Sequence, residues 1–545
     1  MINRRDFLRS TAGAAVTAGS LGAIQKRPNI VLILADDMGF SDVGCYGGEI
    51  RTPNIDRLAA GGIRFTQFCN TARCCPTRAS ILTGLYPHQA GIGHMVDNPK
   101  PFPGYRGDLS RRAVTIAEAL KPAGYQTLMS GKWHVTPVNE SKQNWPRRRG
   151  FDRYYGIIHG AADYFNPVTL VRDDEKAPLE GSNYYLTDAI AANAATFIAD
   201  AAKKPDPFFL YAAFTAPHWP LHALEEDIAR YRGRYQAGWD ALREERHRRQ
   251  IQMGIVNSRW PLTRRDPSVP AWQDAPDKEW QQRRMEVYAA QVDRLDQGVG
   301  RILEAVRQSG QEDNTLVMFL ADNGGCAEEL GPRARVIHIP AVTLDGKPVK
   351  VGNVPGVMPG PEETYQSYGI PWANVSNTPF RLYKHWVHEG GIATPLIARW
   401  PGVIRKTNTL THEPGHLIDL MATCVDAGGA RYPESFAGER IIPLEGKSLR
   451  PIFEKGKRAG HEAIYWEHEG NRAVRQGNWK LVSRHPQGWE LYDLKADRTE
   501  MNDLATRYPA RVASMSALYD RWAARAQVEP WQKVVDASKP AAVPE

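Results

Sequence analysis

The chain of 545 residues is predicted to fold as an α/β protein with helices on both faces of its sheet and a small antiparallel subdomain at its C-terminal end. Three observations predict this. From Pro28 onward, short aliphatic or β-branched runs alternate with helical stretches, the pattern of a sheet covered by helices. The strongest runs end abruptly in polar residues, Asp36 after one and Asp322 after another, where ligands bind in open α/β sheets. After Pro451 the alternation gives way to short strand-like segments separated by turn residues.

The elements follow in order. Asn29 to Ala35, N-I-V-L-I-L-A, is a strand buried on both faces, and Gln126 to Ser130, Phe208 to Phe214 and Leu316 to Ala321 are its companions. Helices are expected over Asn54 to Ala60 and Val114 to Leu120. A long helix is expected over Glu279 to Ser309, where Val287, Ala290, Leu295, Val299, Ile302 and Val306 trace an apolar stripe. Asn257 to Asp277 and Gly331 to Asn377 are rich in proline and read as long loops rather than core. In the C-terminal region Ala463 to Trp466, Asn471 to Val474, Trp479 to Ser483 and Trp489 to Leu494 are the short strands, followed by a helix over Ala510 to Ala526. The tail beyond Trp531 is expected to be a loose end. The organisation is therefore a leader over 1–27, a main domain over 28–455 and a C-terminal subdomain with tail over 456–545.

Composition is ordinary for a globular protein, with 42% hydrophobic and 24% charged residues. The leader is not ordinary. Arg4 and Arg5 precede a weakly apolar run of small residues from Ser10 to Ala23, the pattern of a Tat-type export signal. That run is too short and too rich in Gly, Ala, Ser and Thr to anchor the chain stably in a membrane. The expected destination is the periplasm or the medium, with the Tat machinery as partner. Between Ile228 and Gln250 stand seven arginines, and their interleaved acids favour a solvated helical face, turned toward an anionic substrate, over nucleic-acid binding. Six cysteines without metal-site spacing permit one or two disulfides after export, with connectivity open.

Chemistry concentrates at the strand ends. Asp36-Asp37 follows the first strand and Asp322-Asn323 follows the strand ending at Ala321, a hard oxygen set suited to Ca²⁺ or Mg²⁺ rather than Zn²⁺. Cys74-Cys75-Pro76-Thr77-Arg78 opens what reads as the first turn of a helix, where Pro76 costs no donor and backbone N–H groups favour an anion. With Ala79 to Gly84 it spells C-x-P-x-R followed by x-x-hydrophobic-hydrophobic-T-G. Gly131-Lys132-Trp133-His134, Ala216-Pro217-His218-Trp219-Pro220, and Arg381 to Lys384 with His388-Glu389-Gly390-Gly391 complete the set.

These motifs, in this order, resemble those of the type I sulfatases, arylsulfatase-like members of the alkaline phosphatase superfamily, over nearly all of Pro28 to Ala526. The resemblance implies an alkaline-phosphatase-like large mixed sheet between helices, with a small C-terminal antiparallel sheet. It implies conversion of Cys74 to Cα-formylglycine by a maturation enzyme, and one divalent cation, usually Ca²⁺, held by Asp36, Asp37, Asp322 and Asn323 beside position 74. Arg78, Lys132 and Lys384 then meet the sulfate, His134 serves the formylglycine hydroxyl, and His218 is a protonated donor to the leaving oxygen. His388 is expected to be structural. The implied activity is hydrolysis of sulfate monoesters, aryl sulfates or sulfated glycans. Two alternatives accompany it: a formylglycine-dependent phosphonate or phosphate diester hydrolase, and a silent binder of sulfated glycans. Substrate choice is expected in Ile158 to Asp174, Leu221 to Asp277 and Gly331 to Asn377, with Tyr164, Phe165 and Trp219 as ring-stacking candidates.

Overall fold

The computed structural model describes residues 27–137, 142–181, 183–332 and 338–537. The twin-arginine segment and the last residues of the tail lie outside the described residues. An eleven-stranded mixed sheet forms the centre. Its strands are β1 (Asn29–Ala35), β2 (Ile63–Cys69), β3 (Gln126–Gly131), β4 (Arg153–Ile157), β5 (Leu170–Arg172), β6 (Glu175–Lys176), β7 (Phe208–Ala213), β8 (Thr315–Ala321), β9 (Ala393–Arg399), β10 (Thr409–Thr411) and β11 (Gly415–His416). The order is β10-β2-β9-β8-β1-β7-β3-β4-β5-β6, with β11 also paired to β2. Strands β8, β1, β7, β3 and β4 are parallel neighbours, whereas β9 runs antiparallel to β8 and to β2.

The reason for the central strands is visible residue by residue. Along β1, Ile30, Leu32 and Leu34 enter the core on one face while Val31, Ile33 and Ala35 enter the core on the other. In β8, Leu316, Met318 and Leu320 alternate in the same way with Val317, Phe319 and Ala321. A period of two with both phases apolar is what a strand covered on both faces requires. Each such side chain contributes about 1.5–3 kcal/mol on full burial.

Seven of the eleven main-sheet strands, β2 and β9 among them, are not evident in the sequence. In β2, Arg64, Thr66 and Gln67 interrupt the apolar run; the strand accommodates Arg64 because its Nη1 donates to the Cys45 carbonyl at 2.9 Å. Strand β9 contains Pro395, which falls where the pairing with β2 shifts register, the place a ladder tolerates proline.

Several expectations are corrected. The arginine-rich stretch is not a solvated face throughout: in the helix Gly238–Gln252, Arg243 and Arg246 are buried. Arg246 clamps Asp42 at 2.7 Å and Glu49 at 2.7 Å, so its charge serves the fold rather than a substrate. The Gly331 to Asn377 stretch is core at its end, where the helix Gly369–Ser376 buries Trp372 completely. The tail beyond Trp531 includes a helix, Trp531–Asp536, with Val534 buried, rather than running on as a loose end. All six cysteines are free, buried thiols.

The C-terminal sheet is an antiparallel meander of β12 (Ile464–His468), β13 (Asn471–Gln476), β14 (Trp479–Ser483) and β15 (Glu490–Asp493). One face packs Trp466, Ala473, Val482 and Tyr492 on Val387 and Ile392 of the loop that carries Lys384. The other is covered by Met515, Tyr519 and Trp522 of the helix Pro509–Ala526. Among the described residues, no helix is long and apolar enough to cross a membrane.

Candidate active site

Four parallel neighbours, β8, β1, β7 and β3, end side by side, and each delivers polar residues to one place. Asp36 and Asp37 leave β1, Asp322 and Asn323 leave β8, Lys132 and His134 leave β3, and His218 follows β7. Adjacent side chains on a strand point apart, so turning both aspartates inward needs a bend. Asp37 supplies it at φ 64°, and His134 does the same at φ 54°. The Asp37 N–H is then satisfied by Asp322 Oδ1 at 3.0 Å.

The charges interlock. Lys132 Nζ donates to Asp36 Oδ2 at 2.6 Å, and Lys384 Nζ donates to Asp37 Oδ2 at 2.9 Å. Arg78 Nη2 donates to Asp322 Oδ2 at 3.0 Å and stands 3.5 Å from Asp36 Oδ1, while its Nη1 fixes the Lys132 carbonyl at 3.0 Å. Asn323 Nδ2 donates to Asp37 Oδ1 at 2.7 Å. Burial, reinforced by Asp322, pushes the Asp36 carboxyl well above the ordinary range despite Lys132 and Arg78. Burial also opposes ionisation of Asp37, but His218 and Lys384 overcome it and hold that carboxyl low. Asp36 Oδ1 and Asn323 Oδ1 are buried without a hydrogen bond. Two orphaned oxygens among clustered carboxylates, one of them with its pKa raised by burial, are what a hard divalent cation would satisfy, so the residues present fit one.

Cys74 begins the helix Cys74–Thr83, every residue of which is buried, and is itself 2% exposed. A hydrogen bond with Cys75 holds the Cys74 thiol well below its ordinary value, with Lys132, His134 and Lys384 adding to this against burial. His134 is buried with neither ring nitrogen hydrogen-bonded, and burial lowers its pKa. Gly160 lies against that ring so closely that a Cβ there would meet Cε1 at 2.4 Å. The imidazole is thereby held by packing within reach of the Cys74 sulfur.

His218 departs from the protonated donor expected. Its Nδ1 meets the Trp219 carbonyl at 2.7 Å, so that nitrogen carries the hydrogen and Nε2 turns to Lys384 Nζ at 3.4 Å. Burial, aided by Lys384 and Lys132 against the pull of Asp37, pushes its pKa down to about 4. Tyr164 is also not a stacking surface: it is fully buried, its single hydroxyl hydrogen facing the Thr215 carbonyl at 2.9 Å and the His218 carbonyl at 2.8 Å. His388, expected to be structural, is buried with Nε2 3.3 Å from Glu490.

Glu328 is a site residue that no motif announced. It pairs with Arg73 at 2.8 Å, accepts from Trp219 Nε1 at 2.8 Å and lies 3.9 Å from Lys384, joining these three residues. Its only sequence signal is a place in the loop after Asp322. Lys384, Glu328, Arg73 and His385 face a cavity of about 1110 Å³ whose far wall includes the exposed Arg264 and Arg484.

Residues 28–430 match the family model described as Sulfatase, and residues 380–520 match the one described as N-sulphoglucosamine sulphohydrolase, C-terminal. The chain is 34% identical to an uncharacterized sulfatase of Schizosaccharomyces pombe, over 89% of this chain and 92% of that one. It is 33% identical to an arylsulfatase of Klebsiella aerogenes, covering 80% and 94% of the two chains. Among solved structures, Ps i-CgsB in complex with k-i-k-neocarrahexaose superposes with a TM-score of 0.66 at 26% identity, covering 94% of this chain and 98% of that one.

Proposed function

The chain belongs to the sulfatase family and hydrolyses sulfate esters, and from that premise we propose that it cleaves aryl or carbohydrate sulfate monoesters using Cα-formylglycine at position 74 and one divalent cation, Ca²⁺. The observation that carries this reading is the convergence of unpartnered groups on Cys74. Asp36 Oδ1, Asn323 Oδ1 and both nitrogens of His134 lack hydrogen bonds, and Lys132 and Lys384 flank them. A plain thiol leaves that convergence unexplained.

The hydrated aldehyde supplies two hydroxyls, one to attack sulfur and one whose deprotonation lets sulfate leave. The cation, held by Asp36, Asp37, Asp322 and Asn323 with position 74 as a further ligand, supplies Lewis-acid polarisation of a sulfate oxygen. With a cation held there, Lys132 and Lys384 would be released from Asp36 and Asp37 and their ammonium groups could bind an anion. Arg78 holds Asp322 and the Lys132 carbonyl in place and adds positive charge. Preorganised donors of this kind are typically worth about 2.7–4 kcal/mol each at a developing charge. His134 is placed to take the proton that frees sulfate. In this reading His218 Nε2 protonates the leaving oxygen after gaining a proton once bound sulfate raises the pKa of the imidazole, with Lys384 beside it.

The leader over 1–27 directs the protein through the Tat machinery to the periplasm or beyond, and the catalytic domain ends at about residue 455. Mass spectrometry of the peptide containing position 74, after coexpression with a maturation enzyme, should show the aldehyde or its hydrate. The same preparation should turn over an aryl sulfate far faster than an aryl phosphonate, and Asp322→Ala should lose that turnover. Activity from protein with an intact Cys74 thiol would overturn the mechanism. Preference for the phosphonate would favour a diester hydrolase, and an aldehyde without any turnover a silent binder.

A further inference from the structure

Beside the cavity, four residues outside the reaction's machinery converge. His94 comes from the loop after the helix Cys74–Thr83, His385 follows Lys384, and His468 and Glu469 end β12 of the C-terminal sheet. Glu469 Oε1 lies 3.1 Å from His94 Nδ1 and 3.5 Å from His468 Nε2, and its Oε2 lies 3.3 Å from His385 Nδ1. Donor atoms of His385, His468 and Glu469 all stand within 4.8 Å of one another.

Contacts to Glu469 account for only part of this convergence. His468 is fully buried, yet neither of its ring nitrogens has a hydrogen-bond partner, and His94 Nδ1 meets the Glu469 carboxylate at 3.1 Å. A buried polar group left in that state is costly, and a ligand would remove the cost. The backbone is bent to make the cluster: His385 sits at φ 90° and Glu469 at φ 52°, both in the left-handed region that non-glycine residues rarely enter. The far ring edges of His94 and His385 are held by Asn98 at 3.2 Å and Asn471 at 3.3 Å. Arg73, the nearest large cation, is taken up by Glu328 at 2.8 Å.

We propose that His94, His385, His468 and Glu469 form a second metal site, separate from the oxygen site at Asp36 and Asp37, that takes a borderline divalent ion of the Zn²⁺ class. Three imidazoles and one carboxylate are a donor set for Zn²⁺ and a poor one for Ca²⁺. The ion ties three segments together, one of them the loop bearing Lys384, so its expected effect is to fix the C-terminal sheet against the sulfate pocket. It takes no part in the reaction, and its test does not depend on turnover.

The experiment uses the full chain carrying Cys74→Ser and Cys75→Ser, because Cys74, Cys75 and His134 also converge and would bind Zn²⁺ themselves. The protein is stripped with chelator, saturated with Ca²⁺ to fill the oxygen site, and titrated with Zn²⁺ by calorimetry with elemental analysis. The expected result is one Zn²⁺ per chain, a raised melting temperature, and an X-ray absorption shell of nitrogen and oxygen at about 2.0–2.2 Å without sulfur. Glu469→Gln and the partly exposed His385→Ala should each weaken binding roughly tenfold or more. Absence of stoichiometric Zn²⁺ in the parent overturns the site, as does unchanged affinity in both variants.

Discussion

His218 has one nitrogen fixed by the Trp219 carbonyl and one turned toward Lys384 and Asp37, so its imidazole has a single route to a leaving oxygen. An alkoxide leaving group needs a proton far more than a nitrophenolate does, so a residue that delivers one matters unequally across substrates. His218→Ala should therefore show a steeper fall of kcat/KM with rising leaving-group pKa than the parent enzyme, measured on a series of sulfate esters. An equal loss across the series would assign His218 to sulfate binding and leave Lys384 as the acid. At this scale the site was legible where its residues sit in short contiguous motifs, as Cys74, Lys132, His134, His218 and Lys384 do. Glu328 was not, nor was the convergence of His94, His385 and His468, because those groups meet only through the fold. Arg246 was legible as a charge but not as a buried one, since its partners Asp42 and Glu49 lie far away in the chain.

Elements followed the same rule. Strands apolar on both faces, β1, β7 and β8, declare themselves from sequence because burial on two sides removes polar positions. Strand β2 hides because its Arg64 finds a backbone carbonyl, a partner that no local pattern encodes. The segment His388 to Gly391 matters as a joint between the two sheets. Glu389 accepts from Lys480 of β14 at 3.0 Å and from Arg498 at 2.8 Å, all three fully or almost fully buried. The glycines beside it are required by close approach: a Cβ on Gly391 would lie 1.8 Å from the Trp386 carbonyl oxygen. Removing the Glu389 charge leaves the buried Arg498 without its carboxylate, while Lys480 keeps Glu500 at 2.8 Å, so Glu389→Gln should destabilise the protein by about 3 kcal/mol in denaturant unfolding. Burial resists its ionisation, but Lys480 and Arg498 hold the Glu389 pKa below the ordinary 4.5. A depressed carboxylate contributes its full stability above that value and loses it as pH falls below. The Gln variant should lack this part of the acid sensitivity, and an unchanged unfolding midpoint at neutral pH would show that the joint carries no load.

For the whole molecule, the order of events is constrained by burial. Cys74 is 2% exposed inside a helix that is buried throughout, so under the proposed mechanism a maturation enzyme would have to reach it before the fold closes. The folded chain is tied in from Pro28 onward, where the Tyr125 hydroxyl donates to the Pro28 carbonyl at 2.7 Å. The twin arginines Arg4 and Arg5 lie ahead of that point. Conversion of Cys74 is therefore expected on the nascent or unfolded chain inside the cell, followed by folding and then by export. Replacing Arg4 and Arg5 with Lys should hold the precursor in the cytoplasm without affecting maturation, because every residue assigned to the site lies beyond Pro28. The check is fractionation of cells that coexpress the maturation enzyme, with mass spectrometry at position 74 and sulfatase assay of each fraction. Retained precursor that carries the aldehyde and hydrolyses an aryl sulfate is the expected outcome. Undiminished export would remove the Tat assignment, and retained protein with an intact thiol would place maturation after export, contrary to the burial of Cys74.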